Sequence, residues 1–526
     1  METLTVRSVP VAVLALWVLY EVVRVLAARR GGNGIPPVLR LAGWALRPWA
    51  AWAVLNAVFR WQWQRGFNNR RTFPFFANLW RENQSFAERL AWLGGRPATT
   101  GWVCVVLALL VVLVLLAREI VRRERPGRGF AAGVLTLLFA LAFALNFSVA
   151  SLPRGAGLAP GERGSLLSCW HAHATMLYAV PLVRNTDHYL SNFLELQPQL
   201  RRTIHGLSHP PGASLSMYWI GAVMGVKHQN IRADRVRLRY AIGLTLFGGL
   251  SVFLVYGLGR ALWDSRRVGL TAALLWLTAP LVLAYGTFAQ DMLYAVFFIA
   301  ALLLTWRVAT ADRMPWAGMA LLGVVFFCQI LLNYSWCIAT TIFALFVPAV
   351  AWRRRRAWRP ALLRTVVPLA VMTVLAAGFL LHYRLDYLRM YLVSRAYVDL
   401  WYPFEGLYQY LTALIGGQID LFLLMGSVTL SAFLTCGSNG GGRRGLSERG
   451  LFLALILGVY ALPILFGPTC LKMETARCWN WVAAAPIVFA AAALLRQSAP
   501  RLFVGGAVAV SVLTYGGMRL FLNFAP

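Results

Sequence analysis

Residues 185–212 read NTDHYLSNFLELQPQLRRTIHGLSHPPG and gather, within one loop, side chains that can move protons or hold anions. An acid, Asp187, comes first and an aromatic, Tyr189, two residues on. Arg201, Arg202, His205 and His209 follow as guanidinium and imidazole groups. The Pro210-Pro211-Gly212 turn then fixes the direction in which His209 faces. A second acid, Asp291, stands at the start of an apolar run in Gln290-Asp291-Met292-Leu293. At a helix start it can complement the helix dipole, and as an ionisable residue at a span end it can also serve a substrate cleft. A third stretch, KMETARCWNWVAAAP at 472–486, offers Glu474 and Arg477, and a guanidinium binds phosphate oxygens in pairs. Trp479 reads as an anchor at the membrane interface.

A different chemistry has to be weighed for the same residues. Cys169, His171 and His173 with His205 and His209 carry the donor types of a transition-metal site. Their spacing matches no standard zinc pattern, so no metal is assigned. Asp386, Asp399 and Glu405 read as ordinary loop carboxylates.

The elements that position these groups are membrane spans. Of 526 residues, 59% are hydrophobic and 13% charged, and the mean hydropathy is +0.63. A soluble domain of this length could not bury so much apolar surface. The apolar residues come in blocks of bilayer length, such as 130–147, 292–306 and 362–381, and predict an all-α polytopic membrane protein with roughly 12–14 transmembrane helices. The formal charge of +31 is mostly arginine in short loops between those blocks. That is the pattern of the positive-inside bias, and no soluble basic module is present to bind nucleic acid. Lys227 and Lys472 are the only lysines, an arginine bias that fits a GC-rich bacterial genome. Of the seven cysteines, Cys104, Cys328, Cys337 and Cys436 read as small buried residues, and Cys470 and Cys478 share one loop.

Charge parity orients the chain. Arg353–Arg356 and Arg359 mark the cytoplasmic side, and alternation places Arg307, Arg313, Arg260, Arg266 and Arg267 there too. Residues 209–226 decide one crossing: if they spanned, the basic linker Arg118–Arg128 would face outward, against the bias. They are therefore expected as an interfacial helix, which leaves loop 151–238 wholly external. The external face then collects Asp187, Glu195, Asp291, Asp386, Asp399, Glu405 and Glu474, and converging acids at a membrane boundary indicate a site. Asp420 is the exception to this clustering. Residues 1–125 read as an N-terminal membrane extension, with a span near 9–28, a Trp-rich stretch at 43–63 and a span at 101–118.

A loop acid after an early span, followed by HPPG opening an apolar helix, resembles the membrane-embedded C-type (GT-C fold) glycosyltransferases that use polyprenyl-phosphate sugars, in their bacterial HPPG-containing members. Asp291 matches the second acid those proteins carry. Glu474, Arg477 and Trp479 match a Gly-Glu-x-Glu-Arg-x-Trp segment, with Met473 replacing its glycine and Ala476 its second glutamate. Arg395, Tyr397, Trp401 and Pro403 match a further segment. The resemblance covers residues 126–526, the GT-C-like domain.

The resemblance implies an inverting glycosyltransferase in the bacterial cytoplasmic (inner) membrane, its site facing the periplasm or cell exterior. Asp187 is the implied general base. His209, Asp291, Glu474, Arg477, Tyr189, His205 and Arg201 are the implied substrate-binding residues, with Arg477 first on the leaving phosphate and Lys472 a helper. The implied partners are a polyprenyl-phosphate sugar donor, a glycan, lipid or protein acceptor, and membrane lipid. No cofactor is assigned, and a divalent metal is the lesser alternative. A polymer ligase using diphosphate-linked glycans would keep the enzyme class. A transporter or lipid flippase is the alternative; it predicts ionisable residues within spans and paired broken helices, whereas no internal repeat stands out. A membrane scaffold would not need acids and cations gathered on one face.

Overall fold

The computed structural model describes residues 9–30, 35–63, 97–152, 175–202, 204–226, 229–231, 233–287, 290–401, 407–436, 447–466 and 478–521. All of their regular secondary structure is helical. Among the described residues, eight helices are long and apolar enough to cross a membrane: Thr100–Arg122, Arg128–Ser151, Asp234–Trp263, Asp291–Thr310, Trp336–Arg353, Trp358–His382, Glu448–Leu465 and Pro500–Arg519. The pair Leu414–Leu423 and Ser427–Cys436, bent by 99° at its break, makes a ninth if counted as one span. Trp316–Leu332 and Asn480–Leu494 are apolar but shorter, and Arg266–Thr278 has only 13 residues. The protein is an all-α, multi-pass membrane protein.

Asp291–Thr310 is the central span, with 78% of its apolar window buried, whereas Trp358–His382, at 11%, lies at the periphery. The N-terminal helices join the same bundle: Trp44 packs its ring on Phe503 of the last helix at 5.0 Å, and its carbonyl accepts a hydrogen bond from Ser431. One buried apolar cluster runs from Trp44 to Met518.

Arginines gather the chain at one end of the bundle. Arg364 donates to the carbonyls of Val308 and Ala311 at 2.9 and 2.7 Å, and Arg356 to those of Ala309 and Ala311. These carbonyls end the Asp291–Thr310 helix, so the guanidinium groups satisfy acceptors that lack an intrahelical partner and complement the dipole. Arg354 holds Glu448 through two bonds of 2.7 and 2.8 Å. Arg266 donates to Pro126 at 3.1 Å and Arg267 to Val121. The basic linker that follows Thr100–Arg122 therefore lies at the same end as Arg266 and Arg267, as charge parity grouped them.

That arrangement leaves residues 209–226 without a crossing. Their helix, Pro211–Val223, has 13 residues, about 20 Å of length, against the ~30 Å of a hydrocarbon core. It differs from the expected interfacial helix in its burial. Pro211–Tyr218 are all buried, and only its C-terminal end, with Trp219 and Val223, is exposed. The helix is inserted into the protein. The expected loop at 383–408 is likewise mostly a helix, Tyr387–Trp401.

Candidate functional site

Asp187 lies in the six-residue helix Thr186–Ser191. Asn185 starts that helix by accepting the His188 backbone N–H on its side-chain oxygen at 2.7 Å, the favoured way to satisfy a first-turn donor. Trp219 of the HPPG helix donates its indole N–H to Thr186 Oγ1 at 3.4 Å. The Asp187 side chain is exposed. Its Oδ1 accepts a 2.8 Å hydrogen bond from the Tyr383 hydroxyl, which comes from the end of the Trp358–His382 helix. The carboxylate beside it pushes the Tyr383 phenol up from its ordinary value, as a donor to a charged acceptor requires.

Tyr189, two residues on, points the other way. Its ring is wholly buried against Phe193 at 5.5 Å, and burial pushes its phenol up, with Ser214 opposing in part. The expected substrate contact at Tyr189 is thus a packing contact that fixes the Asp187 helix against the HPPG helix.

Pro210 caps the HPPG helix and Pro211 occupies its first position, where the missing N–H is not needed. Gly212 is required by a close approach: a Cβ there would lie 2.5 Å from the Leu331 carbonyl oxygen. This contact seats the helix on Trp316–Leu332. His209, just before it, is half-buried. Its Nδ1 pairs with Ser208 Oγ at 3.0 Å, and its ring stacks on Tyr294 with centroids 5.6 Å apart and planes at 23°. Tyr294 belongs to the first turn of the Asp291–Thr310 helix, so His209 and the start of that helix come together. Gln290 reinforces the junction by donating to the Ala213 carbonyl at 2.7 Å. Asp291 is the first helical residue and is half-buried, so its charge complements the dipole at that end.

Arg201 lies on the turn Gln197–Arg202 and His205 on the short helix Ile204–Leu207; their side chains lie outside the described residues. The segment that carries them is tied to Tyr387–Trp401: Gln197 donates to Met390 O at 3.2 Å and Ser394 to Leu207 O at 2.7 Å. Asp386 caps that helix by accepting from the Arg389 N–H at 2.8 Å. This gives a structural role to one of the carboxylates read as ordinary.

Glu474, Arg477, Lys472, Cys169, His171 and His173 lie outside the described residues, as does Cys470. The chain that follows Arg477 is described. Asn480 donates to Met292 Sδ at 3.3 Å, and Trp481 stacks on Phe298 at 4.5 Å. Trp479, expected as an interface anchor, is instead almost fully buried beside Tyr460 at 5.4 Å. Among the described residues, no three His, Cys, Asp or Glu side chains converge as a metal site.

The described site is thus built from Asp187 with Tyr383, and from His209 with the Asp291 helix start, joined through the HPPG helix. Sequence reasoning missed Tyr383, Trp219 and Gln290. An aromatic at a span end resembles a belt residue, and only the fold brings Tyr383 across 196 residues to Asp187. Comparison with protein-family models finds no match, and comparison with curated proteins finds none either.

Proposed function

We propose that the protein is an integral membrane glycosyltransferase that moves a sugar from a polyprenyl-phosphate donor to an acceptor hydroxyl. Asp187 takes the hydroxyl proton, and the acceptor oxygen attacks the anomeric carbon. The bond from that carbon to the phosphate oxygen breaks, and polyprenyl phosphate leaves with the electron pair. Attack opposite the leaving group inverts the anomeric centre. The leaving phosphate develops charge, so Arg477, His209 and Arg201 are the proposed cations around it. Asp291 and Glu474 are the proposed contacts to sugar or acceptor. In this reading the protein lies in the bacterial cytoplasmic membrane, the site faces the periplasm or exterior, and the lipid donor enters from the bilayer.

The observation that carries the reading is the exposed Asp187 carboxylate, held through one oxygen by Tyr383 at the end of an apolar helix long enough to span. A base must reach its proton with the right geometry before its basicity counts. The experiment supplies membranes with a panel of radiolabelled polyprenyl-phosphate sugars and compares wild type with Asp187→Asn. Transfer by wild type and its loss in the variant is expected; full transfer by the variant removes Asp187 as base.

A second reading, a transporter or lipid flippase, draws on one observation. Asp420 is buried, its Oδ1 has no hydrogen-bond partner, and it lies one turn before the 99° break. Broken helices and buried ionisable groups are features of transport pathways. Absence of transfer from every donor, alongside substrate flux in liposomes, would favour it.

A further inference from the structure

We infer that Tyr383 is the positioning residue of Asp187, holding one carboxylate oxygen so that the other is presented to the acceptor hydroxyl; this rests on the reading of Asp187 as general base. The Tyr383 hydroxyl donates to Oδ1 at 2.8 Å. Among the described residues no other group bonds to the Asp187 side chain, and Oδ2 is the oxygen proposed to meet the substrate.

Both partners stand on rigid mounts. Tyr383 is the C-cap of a helix that ends in a Schellman motif: Leu385 N–H donates to Leu380 O at 2.9 Å and Arg384 N–H to Leu381 O at 3.3 Å. Arg384 takes the left-handed conformation this needs, with φ +50°, a place where glycine is usual. The sequence accepts a strained arginine there, as happens where surrounding structure over-determines a functional geometry. The tyrosine ring is wedged between Phe379 at 5.0 Å and His382 at 4.6 Å. Directly after it, Leu385 is buried and Asp386 caps the next helix. On the other side, the Asn185 cap and the Trp219–Thr186 bond fix the backbone that carries Asp187.

A lone hydrogen bond between exposed groups adds little to stability. Its effect here is orientation, which governs how often a bound hydroxyl meets the base in reactive geometry.

The test uses the full chain in lipid nanodiscs, with whichever radiolabelled polyprenyl-phosphate sugar is transferred by wild type. Tyr383→Phe is expected to lower kcat about ten-fold, with donor KM within about two-fold. Para-aminophenylalanine installed at 383 keeps a donor at the ring's end and should hold kcat within about three-fold of wild type. Where Tyr383→Phe folds poorly, this variant is compared with para-methylphenylalanine at 383, of similar shape but without a donor, which should lose about ten-fold in kcat. An inactive Asp187→Asn, together with equal kcat in the donor and donor-less variants, overturns the positioning role and leaves the base intact. Full transfer by Asp187→Asn overturns the base itself.

Discussion

The Gln290 side-chain amide donates to the Ala213 carbonyl at 2.7 Å, across 77 residues of sequence. It binds the residue just before Asp291 to the first turn of the HPPG helix. The His209–Tyr294 stack lies beside the same junction, and Gly212 seats the helix from below. A buried polar contact of this kind is strong because its partners have no water to return to. The junction fixes His209 and the Asp291 helix start as one unit.

Gly212→Ala tests that seat. The added methyl would stand 2.5 Å from the Leu331 oxygen and 2.9 Å from its carbonyl carbon. Backbone atoms cannot move aside as a flexible side chain can, so the change should cost about 1–3 kcal/mol and lower the thermal midpoint in detergent. Gly378→Ala is the control, since a methyl there meets open space and replaces glycine inside a helix, where alanine is favoured. Equal midpoints for the two variants would sink the packing account of the HPPG glycine.

His209 can be separated into its packing and its chemistry. Phenylalanine keeps an aromatic ring for Tyr294 but loses the Ser208 bond and the imidazole nitrogens. His209→Phe should therefore keep the wild-type midpoint within about 0.5 kcal/mol while losing roughly ten-fold or more in transfer. His209→Ala should lose both, because the aromatic contact contributes about 0.5–1.5 kcal/mol. Transfer at the wild-type rate by His209→Phe would reduce this residue to a packing group.

The membrane, the helical class and the basic end of the bundle were legible because each is a property of many residues at once. Hydropathy blocks and arginine-rich linkers survive any local error. The bonds from Arg266 and Arg267 to the 121–126 linker put these basic segments at one end, as charge parity grouped them. Bent and short apolar helices such as the Leu414–Leu423 and Ser427–Cys436 pair and Arg266–Thr278 look like whole spans in a hydropathy window. Burial was misjudged where an apolar residue could serve either solvent. Trp479 and the first two turns of the HPPG helix read as interfacial, and tertiary packing buries them. Tyr189 and Tyr383 show the limit most clearly. Both are tyrosines near Asp187, and only the path of the Trp358–His382 helix decides which one touches it.

The phenol of Tyr383 gives a direct readout of its partner. Its ionisation is raised, chiefly by the hydrogen bond to Asp187. A raised folded-state value means that the contact stabilises the protein below the ordinary tyrosine range and is lost as pH climbs through the raised value. Isotope labelling of the tyrosine ring carbons should show Tyr383 titrating at higher pH in wild type than in Asp187→Asn. The same Tyr383 titration in both proteins would mean that the bond does not form in the membrane.

Asp420 separates the two functional readings. Its carboxyl is 5% exposed, and Oδ1 has no hydrogen-bond partner, so it contributes no described contact that an amide would lose. Asp420→Asn should fold with an unchanged or higher thermal midpoint, since removing an unpaired buried acid is neutral to stabilising. The glycosyltransferase reading gives Asp420 no part in transfer, and the variant should transfer sugar within a factor of about two of wild type. A transport pathway through the bent pair would need the ionisable group near the break, and Gly426, at φ +94° with Ser511 Oγ only 2.3 Å from where its Cβ would lie, makes that break part of the fold. Folded Asp420→Asn that loses flux in liposomes, in a protein whose wild type transfers no sugar, would decide for transport. Retained sugar transfer would leave Asp420 as a buried polar residue of the bundle and Asp187 as the acid that does the chemistry.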